Sequence, residues 1–220
     1  MYVPAHFEEN RREVLHALIE AHPLGALVTH GPGGLDADHL PFELDRSGGT
    51  HGILRAHVAR ANPLWQTIAS ASGAPEALVI FQGPDAYLSP NGYPGKHETH
   101  RQVPTWNYVV VHAHGRLAVR DDEAFVRGLV ARLTRKMESQ VGEPRPWKMG
   151  DAPADYIAQM LAAIVGIEIE VTRLTGKWKL GQNKAPADRR GAAEALLARG
   201  TDEARAVGLA MQAALSGDGA

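Results

Sequence analysis

The chain contains no cysteine. Disulfide frameworks, thiolate nucleophiles, zinc ribbons and cysteine-held iron–sulfur clusters are therefore excluded. Net charge is nearly absent as well: 23 Lys and Arg stand against 25 Asp and Glu, a formal −2 at pH 7. No global positive field draws such a chain onto nucleic acid, so any DNA contact has to come from a local patch. No apolar run approaches the roughly 18 residues that a membrane span requires. The opening MYVPAHFEENRREV has neither the basic start nor the apolar stretch of a secretory signal, and the expectation is a soluble, cytoplasmic protein. Also missing are a Gly-x-Ser-x-Gly elbow, a Ser-x-x-Lys pair and a parallel doubly wound pattern with a dinucleotide loop. GPGG at residues 31–34 lacks the Lys-Ser/Thr ending of a P-loop, and hydrolase chemistry has no support.

What is present is 220 residues, 44% of them hydrophobic, enough for one large domain or a domain with a small appendage. Apolar spacing predicts helices over Glu9–His22, Ala61–Ala71, Glu123–Ser139 and Ala154–Ile164. Strands are predicted at Gly25–His30, Leu40–Leu44, His51–Val58, Glu76–Gln82, Ala86–Ser89, Thr105–Val119 and Ile167–Leu174. Gly83-Pro84 is expected to break the chain between two of these strands, and Pro90–Pro104 to be a long loop. The alanine-rich segment Asp188–Ala214 reads as two short helices broken at Gly200. Six or seven antiparallel strands interleaved with helices make an α+β domain on a barrel or strongly curved sheet.

The chemistry concentrates in LRAHVARANP (54–63) and VPTWNY (103–108). In the first, His57, Arg60 and Asn62 meet where a strand hands over to a helix. Asn62 suits the N-cap and Pro63 the first turn, so the segment could seat a phosphate at a helix N-terminus. The second supplies Trp106 and Tyr108, flat rings of the kind that wall an aromatic cofactor. Together they suggest a phosphorylated planar cofactor, a flavin nucleotide first. A third cluster, GKWKLGQNKAPADRRG (176–191), brings Lys177, Lys179, Lys184, Arg189 and Arg190 into a near-neutral chain. It could contact a cofactor phosphate or nucleic acid, and the Gln182-Asn183 amides could edge a heterocycle. His112 and His114 share a strand face at i, i+2, with no acidic residue nearby in sequence to complete a metal site.

In order along the chain, MYVPAHF, LPFEL, HVARANP, VIFQGPDAYLSP, VPTWNYVVVHAHG, AIVGIEIEVTRLTGKWKLGQNK and DRRG resemble the FMN-binding split-barrel proteins, in the PaiB-type subgroup of negative transcriptional regulators. The resemblance runs from Met1 to about Gly191. It implies an antiparallel, Greek-key-like split β-barrel at 1–185 and a helical extension at 186–220, packed on the barrel or a dimer seam. It further implies a homodimer with FMN at the interface. The phosphate would lie near His57, Arg60 and Asn62, and the ring near Tyr87–Lys96 and Trp106, with Asn107, Lys179, Gln182 and Asn183 as further cofactor contacts. Gly92 and Gly95 depart from the bulky residue and serine usual in SPNGYPGK, and Gly181 from a serine. Lost hydroxyls there predict a weaker hold on FMN. No helix-turn-helix is evident, and the regulatory partner implied is DNA or another protein. Other readings are an FMN-dependent oxidoreductase using NAD(P)H, a haem-binding module using a histidine, and a structural dimer with a vestigial pocket.

Overall fold

The computed structural model describes residues 1–217, with eight strands and seven α-helices among them. In chain order these begin with β1 (Glu8–Glu9), α1 (Arg12–Ala21), β2 (Leu24–Gly31), β3 (Gly34–Pro41), β4 (Glu43–Asp45), β5 (Ile53–Ala59) and α2 (Leu64–Ser70). They continue with β6 (Glu76–Leu88), α3 (Pro94–Thr99), β7 (Thr105–Arg120), α4 (Glu123–Val141), α5 (Ala154–Ala162), β8 (Ile164–Lys179), α6 (Pro186–Leu197) and α7 (Asp202–Gly217). The sheet order is β3-β2-β6-β7-β8-β5-β4, with β1 added beside β8. The α+β antiparallel architecture expected from the sequence is therefore present.

Two differences have physical causes. The expected break at Gly83-Pro84 is absent, because β6 runs unbroken for 13 residues. Its buried face nevertheless changes there: Ala77, Val79 and Phe81 are buried at odd positions, Ala86 and Leu88 at even ones. A one-residue slip in alternation turns the strand over without ending it. Pro84 is tolerated because its φ suits extended backbone and β2 pairs only with Leu78–Ile80 of this strand. The second difference is α3, which forms inside the expected loop, with Pro94 in its first turn where a missing N–H is harmless.

By their contacts the residues form two compact units. One comprises Met1–Leu15, Gln82–Val111 and the chain from Thr175 onward; the other comprises His16–Phe81 and His112–Leu174. In the second unit, β5 alternates so that Leu54, Ala56 and Val58 are buried, leaving Arg55 and His57 on the opposite face. Val126 of α4 packs with Ile157 and Leu161 of α5. In the first unit, Leu180, Ala192, Ala193, Leu196, Ala204, Val207 and Met211 form a buried core around α6 and α7. Small residues allow this closeness: a Cβ on Gly208 would stand 2.9 Å from Leu197 Cγ. The two helices are separated at Gly200, whose φ of +79° is the left-handed end expected of a glycine stop.

Candidate functional site

The expected cofactor residues divide between the units: His57, Arg60 and Asn62 belong to one, and the other seven to the other. In the first group, Asn62 does cap α2, its Oδ1 accepting the Leu64 N–H at 2.8 Å. Its Nδ2 donates to Asp38 Oδ1, also at 2.8 Å, which pins the β2–β3 hairpin to the helix. Arg60 grips both oxygens of Asp121, at 2.6 and 3.0 Å, and donates from Nε to the Ala162 carbonyl at 2.8 Å. Its guanidinium also faces the Trp65 ring. Both side chains are thus engaged by protein groups of this unit.

His57 differs. Burial lowers its pKa, so the ring is held neutral, and its buried Nδ1 has no hydrogen-bond partner. Around Asn62 lies a cleft of about 600 Å³, floored by Leu64, Ile68 and Leu117 and edged by Asp36, Asp38 and Glu76. It is large enough for a small organic ligand, but its carboxylates do not attract phosphate.

The other unit presents different chemistry. A pocket of about 220 Å³ is lined by Phe7, Tyr93, Val103, Pro104, Thr105, Asn107, Lys179, Gly181, Asn183 and Lys184, and no carboxylate is among them. Lys179 Nζ donates to Thr105 Oγ1 and the Trp106 carbonyl. It also lies 5.9 Å from the centre of the Tyr108 ring. Burial, with Lys177 adding like charge, lowers its pKa. A partly desolvated ammonium without a carboxylate partner in the pocket is a seat for an anion. Lys184 lies over the Tyr93 ring, 5.4 Å from its centre. Asn107 is 1% exposed, and its Nδ2 donates to Met211 Sδ, a weak acceptor.

Trp106 and Tyr87 stand edge to face at 5.9 Å, 54% and 43% exposed, an open aromatic pair. Lys96 donates to Asn91 Oδ1 at 2.6 Å. Gln182 braces its own turn, accepting the Leu180 N–H and donating to the Trp178 carbonyl. Asn183 is exposed at the pocket edge. Of the ten expected residues, the pocket brings together Asn107, Lys179 and Asn183. It adds Phe7 and Thr105, present in the sequence only inside the family motifs, Tyr93, which lies within the expected Tyr87–Lys96 stretch, and Lys184, visible only as one charge in a basic run.

The departures at glycine follow from local geometry. Gly181 has φ +83°, and a Cβ there would find nothing closer than 3.8 Å, so backbone rather than space calls for glycine. At Gly95 a Cβ would stand 3.1 Å from both Asp188 oxygens, and at Gly92 3.2 Å from Ala195 Cβ. Both glycines let α6 approach closely.

The antiparallel strand order is that of a split-barrel protein. Residues 1–173 match the signature of the family described as "Putative FMN-binding domain", and the chain belongs to that family. FMN is the cofactor that this membership assigns. An uncharacterized protein of Emericella nidulans is 32% identical, with 94% of each chain covered. The protease synthase and sporulation protein PAI 2 of Bacillus subtilis is 30% identical, over 86% of this chain and 85% of its own. Among solved structures, the flavocytochrome Anf3 of Azotobacter vinelandii shares the fold with a TM-score of 0.57 at 16% identity, covering 82% of this chain and 73% of its own. No described helix is long and apolar enough to cross a membrane.

Proposed function

We propose that the chain is an FMN-binding regulator of the PaiB type, with the cofactor's phosphate seated by Lys179 and Lys184. The observation that carries this reading is the pocket itself: two ammonium groups, the Asn107 and Asn183 amides and the Thr105 hydroxyl converge where no carboxylate competes. Donor chemistry of this kind fits a phosphate monoester. The exposed Tyr87–Trp106 pair belongs to the same unit, and Trp106 is tied to Lys179 through its carbonyl, so flat rings suited to an isoalloxazine adjoin the phosphate seat. Bound FMN supplies reversible one- and two-electron chemistry, while these side chains bind it, orient it and exclude water. The regulatory half of the reading is supported by the Bacillus subtilis relative, named for protease synthesis and sporulation. A homodimer is part of it. Trp106, Tyr87 and Val103, the last 70% exposed, are apolar surface of the kind a second copy covers.

The test is an FMN titration read by flavin fluorescence, with Lys184→Met as the variant. Losing one charge-assisted hydrogen bond of about 1.5–3 kcal/mol weakens binding by roughly ten- to hundredfold. Unchanged affinity would move the phosphate elsewhere. NADH or NADPH oxidation at saturating FMN would replace the regulatory reading with an oxidoreductase, and absence of turnover favours regulation. Light scattering at micromolar concentration should give a dimer; a monomer would remove the shared-interface part.

A further inference from the structure

The lysine pocket is joined by side chains to the C-terminal helices, which lie beyond the family signature ending at residue 173. Lys184 Nζ donates to Gln102 Oε1 at 2.7 Å, and Gln102 Nε2 donates to Asp188 Oδ2 at 2.9 Å. Asp188 Oδ1 in turn accepts the Gly95 N–H at 2.8 Å. Asp188 is 6% exposed in the first turn of α6, so its carboxylate depends on these partners. A second connection runs from pocket-lining Asn107 to Met211 of α7, both 1% exposed.

There is little slack along this route. A Cβ on Gly191 would stand 2.6 Å from Pro94 Cδ and 2.8 Å from the Gly92 carbonyl oxygen, so α3 and α6 meet almost backbone to backbone. A shift at Asp188 cannot be absorbed by flexible side chains there, and packed junctions of this kind respond in discrete steps.

We propose that a phosphate group in the pocket controls the docking of α6, through Lys184, Gln102 and Asp188, onto α3. The inference rests on the reading that this pocket takes the FMN phosphate. An ammonium has three protons, so Lys184 can hold an anion and Gln102 together. Fixing Lys184 fixes the Gln102 amide, with its oxygen toward the lysine and its nitrogen toward Asp188. Holding Lys184 and Gln102 in one geometry keeps the Asp188 carboxylate oriented toward the Gly95 N–H, so the occupied pocket orders that link. An empty pocket leaves Lys184 to water and loosens it. By reciprocity, a docked α6 tightens the hold on the anion.

Amide hydrogen exchange on the full chain tests this, with FMN and inorganic phosphate as probes and the Gly95 amide and those of 190–197 as reporters. In the wild type, FMN should slow exchange at these sites several-fold or more. Gln102 does not line the pocket, so Gln102→Leu should still bind FMN, weakened by only about five- to tenfold, the low end of typical coupling. Its reporter amides should exchange quickly whether or not FMN is bound. If Gln102→Leu keeps the FMN-dependent slowing, the route is wrong. If wild type binds neither probe, the FMN reading fails separately and the ligand-free comparison decides the coupling. There Lys184→Met should speed exchange at Gly95 and 190–197, and unchanged rates would overturn it.

Discussion

Replacing Asn62 separates a structural role from a ligand-binding one. The side chain makes two bonds of 2.8 Å, accepting from Leu64 N–H and donating to Asp38. Removing an N-cap costs about 1 kcal/mol. The bond to the Asp38 carboxylate is charge-assisted but only half-buried, and contributes roughly another 1 kcal/mol. Asn62→Ala should therefore destabilise the protein by about 2 kcal/mol, near the sum of the two terms. With a urea slope of about 2–3 kcal/mol per molar for a chain of this size, the midpoint falls by a little under 1 M. Asn62→Asp keeps an acceptor for the cap but sets a second carboxylate against Asp38, so its loss reads the second bond together with that repulsion. A cycle combining Asn62→Ala with Asp38→Ala should show a coupling of about 1 kcal/mol. FMN affinity of the folded variants should change less than in Lys184→Met. An unmoved urea midpoint together with lost FMN binding would refute this reasoning and place the phosphate at α2.

Two further outcomes follow from backbone and burial. Gly181→Ala forces a side chain onto a φ of +83° with no clash to relieve, so it should cost about 1–2 kcal/mol in thermal or urea unfolding; an unaffected midpoint would deny the left-handed turn. His112 has its pKa lowered from 6.5 to about 4, by burial first and by the positive charges of His114 and Arg173 after it. The folded state therefore resists protonation more than the unfolded one, so this residue's contribution is intact above pH 6.5 and is lost as pH falls toward 4. With the ring only half-buried, the loss is roughly 2 kcal/mol after screening. In His112→Gln the drop in stability between neutral and acid pH should shrink by that amount, and equal acid sensitivity would contradict it.

Periodicity located most elements because it reports local burial, and burial is what β5, β7 and α4 share with their sequence patterns. It failed at Gly83-Pro84 because a change of buried face and the end of a strand leave the same trace: broken alternation with glycine and proline in it. It failed at α3 because Pro94 and Gly95 read as loop residues until the helix they open is packed against α6. The candidate site was harder. Arg60 and Asn62 carry the same donors whether they meet a phosphate or a carboxylate. Their actual partners, Asp121 and Asp38, lie 61 and 24 residues away in sequence. Lys184 was one charge among several, and only its place with Lys179 in a pocket lined by no carboxylate distinguishes it.

The glycine departures from the family pattern and the C-terminal helices belong to one structural feature. A serine at position 95 would crowd the Asp188 carboxylate, and a bulky residue at 92 would push Ala195 and with it α6 away. Gly181 turns the chain from β8 toward the same helix through a conformation that serine resists. Lost hydroxyls at these positions, taken from sequence alone, argue for a weakened cofactor. Placed against α6, the same glycines make room for a helix beyond the family signature, and Asp188, which accepts the Gly95 N–H, is carried on that helix. The contact that a family serine could have offered a ligand is thus exchanged for a helix contact. In the proposed seat the cofactor's hold then rests on Lys179 and Lys184, which line the pocket from the same C-terminal segment.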